Sequence, residues 1–355
     1  MVSLEELLAL LVKKGGSDLH ITAGSPPRIR IDGRLVSTDY ETFQPADTQK
    51  IIYGILESNQ VARFEKELEL DFSFGIKGLG RFRTNVFMQR GAVGAAMRLI
   101  PYEIKSFETL GLPRKICEDL CNTLRGLILV TGSTGSGKST TIAAMLDYLN
   151  NTTPGHIITI EDPIEYIHQH KNCLVNQREI GKDTLGFVSA LRTVLRQDPD
   201  VVVIGEMRDL ETTSVALTVS ETGHLVFATL HTSDCVQTLN RIIDIFPSYQ
   251  QSQIRTQLSF VLQAVFCQQL IPRANAKGRV LASEIMVANP AVRALLRDNK
   301  IHQIYSVIQT SAKLGMKTMN QALTELHQGG LITYEIALNY SPDPDDLKRN
   351  LLKSN

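Results

Sequence analysis

The first hydrophobic pattern of the chain occupies residues 1–101. Apolar and polar residues alternate over short stretches at 19–24, 27–36 and 70–76, which is the period of half-buried strands. Turn dipeptides, Asp32 with Gly33 and Lys77 with Gly78, predict hairpins between strands. Residues 48–68 have helical spacing and composition, and the chain begins with an amphipathic helix. We expect an α+β domain, with further strands over 80–90 and 93–100.

A second pattern begins at about residue 113. Apolar runs lie at residues 124–132, 156–162, 199–206 and 223–232, with helical segments between them. Such runs are typical of strands buried on both faces of a parallel sheet. We therefore predict an α/β nucleotide-binding core over residues 113–289, which closes with a hairpin-like segment at 273–289. Residues 102–112 are the predicted linker, and 290–355 are predicted to be mostly helical.

Composition restricts the function classes. Lysine plus arginine and aspartate plus glutamate each number 37, so there is no long-range basic field. Aromatic residues make up 6% of the chain and tryptophan is absent, which disfavours stacking on nucleic acid. No stretch approaches the roughly 18 apolar residues of a membrane span. Glu5 and Glu6 stand where a signal peptide would be positive. We expect a cytoplasmic protein without a nucleic-acid partner.

The five cysteines give no sign of a metal site. Their number is odd and they form no C-x-x-C pair, which argues against a zinc site and against a disulfide framework. Cys117 and Cys121 could share one helix face at i,i+4, and the expectation for this pair is two small, half-buried thiols.

A phosphate-binding loop is the strongest chemical signal. Residues 132–139 match G-x-x-x-x-G-K-[ST] in full, directly after a predicted strand and before a predicted helix. In such a loop the backbone N–H groups face the phosphates of ATP, Lys138 reaches the β- and γ-phosphates, and Ser139 ligates Mg²⁺. The predicted nucleotide-binding residues are Gly132, Ser133, Thr134, Gly135, Ser136, Gly137, Lys138, Ser139 and Thr140.

Carboxylates follow two further apolar strands. Glu161 lies at the end of the strand at 156–162 and Glu165 just after it, where a carboxylate would orient or deprotonate the attacking water. Glu206 ends the apolar strand at 200–206 and is the expected Mg²⁺-side acid, directly or through water. Glutamate stands there after an inserted glycine, where aspartate is commoner.

Two histidines, His224 and His231, bracket the next buried strand. A single histidine is usually only packed or exposed. Two at the ends of one strand beside a nucleotide site are candidates for sensing the γ-phosphate.

Four segments together resemble a known family. GSTGSGKST, TIEDPIEY, VVVIGEMRD and TGHLVFATLHT look like the Walker A, Asp box, Walker B and His box of the ATPases of type II secretion and type IV pilus systems. Residues 17–35 resemble the opening of the PAS-like N-terminal domain of the pilus-retraction members. Residues 291–300 resemble their retraction motif, with mild departures at Val292, Ala294, Leu296 and Asp298.

The resemblance implies a fold and a function. It implies an N-terminal PAS-like α+β domain, a RecA-like P-loop ATPase domain and a C-terminal helical extension. The expected protein is a homo-hexameric, ATP-hydrolysing motor that retracts type IV pili for twitching motility. It would lie at the cytoplasmic face of the inner membrane, associate with that membrane only peripherally and contact the pilus platform protein.

The resemblance also assigns residues. Glu206 is the implied Walker B acid and Glu165 the first choice for the catalytic glutamate, with Glu161 second. N-terminal arginines are expected near the phosphates, where positive charge stabilises phosphoryl transfer. The matching positions are among Arg81, Arg83, Arg90 and Arg98.

Alternative functions remain open at this stage. A pilus-assembly or type II secretion ATPase shares the four boxes, but that group usually carries a further N-terminal domain and a four-cysteine zinc insert, which this sequence does not show. A nucleotide-dependent regulator would bind ATP and hydrolyse it negligibly.

Overall fold

The computed structural model describes residues 2–31, 33–100, 103–274 and 278–353. The chain divides into two compact units, Met1–Glu103 and Ile104–Asn355. Each unit has its own sheet and its own hydrophobic core.

The first unit is an antiparallel sheet with helices. Its elements are α1 (Leu4–Lys13), β1 (Asp18–Ile21), β2 (Arg28–Ile31), β3 (Arg34–Ser37), α2 (Pro45–Tyr53), α3 (Ser58–Glu67), β4 (Glu69–Ile76), β5 (Gly80–Gln89) and β6 (Ala92–Ile100). Among the described residues the strand order is β3-β2-β1-β6-β5-β4, and every neighbouring pair is antiparallel. The predicted α+β pattern is confirmed at the level of these elements.

Local capping explains where the helices of this unit begin or end. Ser3 and Glu6 form a capping box at the start of α1, whose leucines are buried. The predicted helix over 48–68 is instead two helices. Gly54 ends α2, and Glu57 begins α3 by donating its backbone N–H to the Gln60 side chain at 2.9 Å. Helical periodicity continues across the break, so the pattern alone did not show it.

Both predicted hairpins are present. β2 pairs with β3 and β4 pairs with β5, both antiparallel. Asp32, in the first of the two turns, lies outside the described residues, and Gly33 and Gly78 have positive φ, as the turn chemistry requires.

The second unit is larger and mostly α/β. Its elements are α4 (Phe107–Leu110), α5 (Arg114–Cys121), β7 (Gly126–Thr131), α6 (Lys138–Thr152), β8 (Gly155–Glu161), β9 (Cys173–Glu179), α7 (Phe187–Val194), β10 (Val201–Ile204), α8 (Leu210–Glu221), β11 (Leu225–Leu230), α9 (Cys235–Asp244), α10 (Ser248–Val261), β12 (Leu262–Pro272), β13 (Arg279–Val287), α11 (Pro290–Arg297), α12 (Ile304–Thr310), α13 (Met319–Gln328), α14 (Tyr334–Tyr340) and α15 (Pro344–Lys353).

The sheet of the second unit is parallel except at one edge. Its strand order over the described ranges is β13-β12-β7-β11-β10-β8-β9, and only β13 runs antiparallel to its neighbour. Every residue of β7, β10 and β11 is buried, because helices cover both faces. The four predicted apolar strands are confirmed as β7, β8, β10 and β11.

Two strands were not predicted. β9 alternates buried and exposed residues at the sheet edge, so it lacks the continuous apolar run of a central strand. β12 follows α10 directly, and its apolar residues continue those of the helix. Short apolar runs of this kind do not distinguish a strand from a helix.

The predicted linker over residues 102–112 belongs largely to the second unit. Phe107 and Leu112 are buried in its core, and α4 lies within the segment. The segment carries too few apolar residues for a period to show, although two of them are buried. Pro101 and Tyr102 lie outside the described residues.

Helices dominate the chain after residue 289. Within α11, the guanidinium of Arg293 donates to the backbone oxygens of Ser259 and Phe260, which stand at the end of α10. It also donates to the oxygen of Ala288. Arg293 therefore ties α11 to the carboxyl end of α10, where backbone oxygens lack partners within the helix.

Candidate functional site

The predicted motifs meet at the edge of the parallel sheet that is formed by the carboxyl ends of its strands. β7, β11, β10 and β8 are consecutive neighbours in the sheet, and their carboxyl ends lie at the same edge. Ile204 pairs with Ile160 on one side and Ala228 on the other, so the residues that follow these strands emerge at similar heights. The last residue of β8, Glu161, lies at this edge, and the loops after β7, β10 and β11 carry the phosphate-loop residues, Glu206 and His231.

Two glycines shape the phosphate loop. Gly132 has a φ of 139°, and a Cβ there would lie 2.4 Å from the backbone oxygen of Gln268. Gly137 precedes α6 with a φ of 94°, a left-handed conformation that glycine adopts at little cost. The loop therefore delivers the amino end of a 15-residue helix to the sheet edge, where its N–H groups and dipole favour an anion.

Lys138 lies against this loop. Its Nζ donates to the backbone oxygens of Gly132 at 2.8 Å and Ser133 at 3.1 Å. Burial lowers the pKa of Lys138, whereas the nearby carboxylates of Glu206 and Glu165 act in the opposite direction. Lys138, Glu206 and Glu165 are therefore close enough to interact electrostatically.

Hydrogen bonds fix the first turn of α6. Thr140 shares a hydrogen bond of 2.9 Å with the Tyr166 hydroxyl, and Thr141 accepts one of 2.7 Å from the Gln268 amide. Ser139 lies between the loop and these anchored residues, half-buried. The helix turn that carries Ser139 is therefore held in place by these neighbouring residues.

Glu161 is a half-buried acid with three donors. It accepts hydrogen bonds from the Thr159 hydroxyl at 2.6 Å, the Gln177 amide at 3.2 Å and the backbone N–H of Glu165 at 3.4 Å. Burial raises its pKa, although these hydrogen bonds counteract part of the effect. Much of its acceptor capacity is already used within the protein.

Glu165 differs from Glu161 in exposure. Its side chain is exposed, and its backbone N–H is the group that Glu161 accepts. The peptide bond between Asp162 and Pro163, just before it, is cis. Because its side chain is exposed, the Glu165 carboxylate is open to solvent.

Glu206 bridges two nitrogen donors. One carboxylate oxygen lies 2.7 Å from the Arg208 guanidinium, and the other lies 3.3 Å from Nε2 of His231. Burial alone would raise the pKa of Glu206, but Arg208 and His231 outweigh it and hold the pKa below its usual value. Glu206 is therefore held in its ionised form.

The site offers the ligands that Mg²⁺ prefers. Ser139 supplies a hydroxyl and Glu206 a carboxylate, both hard oxygen donors. Ser139 and Glu161 line a small cavity of about 40 Å³ together with Gly205 and Thr229, which has room for a water molecule. The chemistry of this donor set fits Mg²⁺ with part of its water shell retained.

The structure corrects the expectation for His224. His224 precedes β11, whereas the phosphate loop follows β7, and these two strands are parallel. His224 therefore lies at the opposite edge of the sheet, about 20 Å of strand away from His231. Its ring bonds the Thr222 hydroxyl and the Val219 oxygen at its own edge. The prediction overlooked that only one end of a parallel strand reaches the site.

The candidate arginines of the first unit form part of a row. Arg83 and Arg98 are direct partners on β5 and β6, and Arg98 pairs with Asp18 at 2.8 Å on β1. Arg81 lies two residues before Arg83, hence on the same face, and donates to Ser73 at 2.7 Å. Arg90 follows β5 in the turn at the other end of the hairpin.

Sequence reasoning did not single out the side chains that hold the site in place. Tyr166 and Gln177 anchor α6 and Glu161 from the segments after β8 and along β9. Arg208 was within the quoted Walker B segment, two residues after Glu206, and that spacing was its only signal. Contacts such as these depend on tertiary structure.

The cysteine expectation needs one addition. All five cysteines are free and buried. The sulfurs of Cys235 and Cys267 lie 3.7 Å apart, and the carboxylate of Glu284 belongs to the same cluster. Both Glu284 oxygens accept backbone N–H groups, from Cys235 at 2.8 Å and Met319 at 3.3 Å. Glu284 thus joins the amino ends of α9 and α13.

Comparison with known proteins places these features in context. Residues 4–337 match the family described as type II/IV secretion system protein. The chain is 49% identical to the type IV pilus retractation ATPase PilT of Pseudomonas aeruginosa over 345 residues, which cover 97% of this chain and 100% of that protein. It is 46% identical to a twitching motility protein of Neisseria gonorrhoeae, covering 88% of this chain and 83% of the relative.

A solved structure agrees with the fold. The crystal structure of the pilus retraction motor PilT with bound ADP matches with a TM-score of 0.93 and 52% identity, over 98% of this chain and 100% of that one. The predicted resemblance to pilus-retraction ATPases is confirmed by these comparisons. Within the described ranges, no helix combines the length and the apolarity needed to cross a membrane.

Proposed function

Because the chain belongs to the type II/IV secretion system protein family, we propose that it is an ATP-hydrolysing motor that retracts type IV pili and so powers twitching motility. One structural observation carries the proposal: a complete phosphate loop after β7 and the acids that follow β10 and end β8 emerge at the same end of one parallel sheet. The similarity to named retraction and twitching proteins over most of the chain supports the cellular role.

The roles of the loop residues follow from their positions. ATP binds with its phosphates against residues 132–140, and the Lys138 ammonium exchanges the backbone oxygens of Gly132 and Ser133 for phosphate oxygens. Ser139 and Glu206 hold Mg²⁺. When bound, this ion neutralises charge on the β- and γ-phosphates.

We assign the catalytic base to Glu165 and a positioning role to Glu161. Glu165 is exposed and interacts with Lys138, so it can accept a proton from water beside the γ-phosphate. Glu161 already accepts three hydrogen bonds, one of them from the backbone of Glu165. Its main effect is to hold the Glu165 segment.

The first unit supplies positive charge in this proposal. Arg81, Arg83 and Arg98 share one sheet face, and Asp18 is the acid that lies in register with Arg98. We assign this arginine face to the nucleotide phosphates within a homo-hexameric ring, where hydrolysis then depends on how the units are seated. The unit itself is assigned a PAS-like fold, and the second unit a RecA-like one, on the family resemblance.

The assembled motor acts at the inner face of the cytoplasmic membrane. It contacts the pilus platform protein there, associates only peripherally with lipid and needs no nucleic acid. The balance of 37 basic and 37 acidic residues supports the last point.

The test combines chemistry and cell biology. Wild-type protein and Glu165→Gln are assayed for phosphate release, and each is expressed in cells that assemble type IV pili but lack their retraction ATPase. Wild type should hydrolyse ATP, restore twitching and lower the number of surface pili. Glu165→Gln should do none of these, while Glu65→Gln, an exposed acid of the first unit, should match wild type. Increased piliation by wild type in assembly-deficient cells would instead identify an assembly ATPase.

A further inference from the structure

The backbone fixes the position of Glu206 tightly. The preceding N–H, of Gly205, donates to the Ile160 oxygen at 2.8 Å, and the following N–H, of Met207, donates to the Thr229 oxygen at 3.0 Å. The Met207 side chain is buried in the core. The Glu206 carboxylate therefore starts from a fixed point between the ends of β8 and β11.

Arg208, which contacts this carboxylate, has a fixed backbone and a side chain that is open to solvent. Its neighbour Asp209 caps α8 by accepting the backbone N–H of Thr212 at 2.8 Å. The Arg208 side chain is 69% exposed, whereas that of Glu206 is only 20% exposed. The arginine can therefore swing into solvent without moving the backbone, while the acid stays in place.

Each carboxylate oxygen of Glu206 contacts one nitrogen of a neighbouring side chain. Arg208 lies 2.7 Å from one oxygen and His231 lies 3.3 Å from the other. A guanidinium within contact distance repels a divalent cation that approaches the same carboxylate, because Coulomb energy rises steeply at short range. Asp162 also attracts Arg208, which gives the released guanidinium a nearby acid.

We propose that Arg208 is a positioning residue that competes with Mg²⁺ for Glu206, so that loading of the metal requires release of the ion pair. The inference rests on the proposed function, since it concerns the metal side of the same site. In this proposal the ion pair between Arg208 and Glu206 must break before Mg²⁺ can bind. The Mg²⁺ concentration needed to complete the nucleotide site is set by the strength of the contact between Arg208 and Glu206.

The test measures binding, not turnover. A fluorescent ADP analogue is titrated with Mg²⁺ against the full-length protein, and the midpoint of the Mg²⁺-dependent gain in affinity is recorded. Arg208→Gln removes the charge and should lower this midpoint by roughly two- to fivefold. Arg208→Lys retains the charge and should stay closer to wild type. Arg192→Gln is the matched control, because Arg192 is also 69% exposed and pairs with Glu211 on the neighbouring helix α8.

Two results would overturn the inference. An unchanged or higher midpoint in Arg208→Gln, with wild type still responding to Mg²⁺, would show that the arginine only braces the loop and would leave the proposed function standing. If wild type bound the analogue without any dependence on Mg²⁺, the metal site itself would be wrong and both proposals would fall. A midpoint lowered in Arg208→Gln but not in Arg192→Gln supports the competition.

Discussion

The two sheets of this chain present their chemistry in different places. In the second unit the central strands are buried throughout, so their side chains build the core and the reactive residues follow the strand ends. In the first unit β5 alternates buried and exposed positions, and its arginines lie along one face. In a parallel sheet covered on both faces, functional residues lie at the carboxyl ends of the strands. In an antiparallel sheet with an open face, they can lie along the strands on that face.

The difference extends to how charges are held. Glu284 of β13 is buried and satisfied by two backbone N–H groups. Asp18 of β1 is also nearly buried, yet its partner Arg98 is 67% exposed. The first contact is enclosed by the core, whereas the arginine of the second is open to solvent, where water screens the pair.

The sharpest test of the strand-edge site is Lys138→Ala. It removes the charge beside the phosphates without removing core volume, so ATP hydrolysis should fall by about 10² to 10³-fold while the melting temperature changes little. Phosphate release and thermal unfolding are measured together. The matched control is Lys171→Ala, which removes a lysine paired with Asp147 at the surface. Retention of full activity in the Lys138 variant would break the assignment of this edge as the site.

The strand-edge site was also the part most accessible from sequence. The residues 132–139 are contiguous, and the continuous apolar runs identify β7, β8, β10 and β11 with their order along the chain. Topology then follows from a general rule, that the carboxyl ends of parallel strands meet at one edge. The error at His224 arose where direction along a strand was ignored, not where a residue type was misjudged.

Glu284→Leu tests how much the buried acid contributes to the free energy of unfolding. The change leaves the backbone N–H groups of Cys235 and Met319 without their acceptor, so the free energy of unfolding should fall by about 2–4 kcal/mol. Denaturant unfolding measures it. Glu325→Gln, which breaks an exposed ion pair with Lys317, should change the same quantity by less than about 1 kcal/mol. Equal losses in the two variants would contradict the contrast between buried and exposed acids.

Contacts between distant segments set the limit of sequence reasoning. Cys235, Cys267 and Glu284 come from a helix start and two strands, and no spacing rule links them. The arginine row likewise depends on strand register, which places Arg98 opposite both Asp18 and Arg83. Sequence supplied the residue types, but pairing across strands is decided by the fold as a whole.

Substitution of the two histidines at the ends of β11 compares the carboxyl and amino ends of the strands in one sheet. His231 contacts Glu206, so His231→Ala should lower ATP hydrolysis by about tenfold through loss of a hydrogen bond at the acid. His224 lies at the far edge and bonds local groups, so His224→Ala in the isolated protein should change hydrolysis by less than about twofold. Steady-state phosphate release compares the pair. A larger loss at His224 would mean that the amino edge of the sheet also takes part in the reaction.

The smallest expected effect belongs to Asp18 on the open face. Burial raises the pKa of Asp18, but hydrogen bonds from Ser17 and Arg98 outweigh it and leave the pKa below the usual 3.8. An acid with a lowered folded-state pKa adds stability above its unfolded pKa and loses it as pH falls through the folded value. Unfolding of wild type should therefore lose this contribution below about pH 4.

Asp18→Asn isolates that contribution. At pH 7 the variant should be less stable than wild type by only about 0.5–1 kcal/mol, since Arg98 is largely exposed and water screens the pair. The difference should shrink as the pH falls below 4, because protonated wild-type aspartic acid then resembles asparagine. Asp39→Asn, at an exposed position of the same unit, serves as the control. The difference in free energy of unfolding between Asp18→Asn and wild type could instead stay constant down to pH 2. The loss would then come from packing and not from charge, and Asp18 would be a structural residue as Glu284 is.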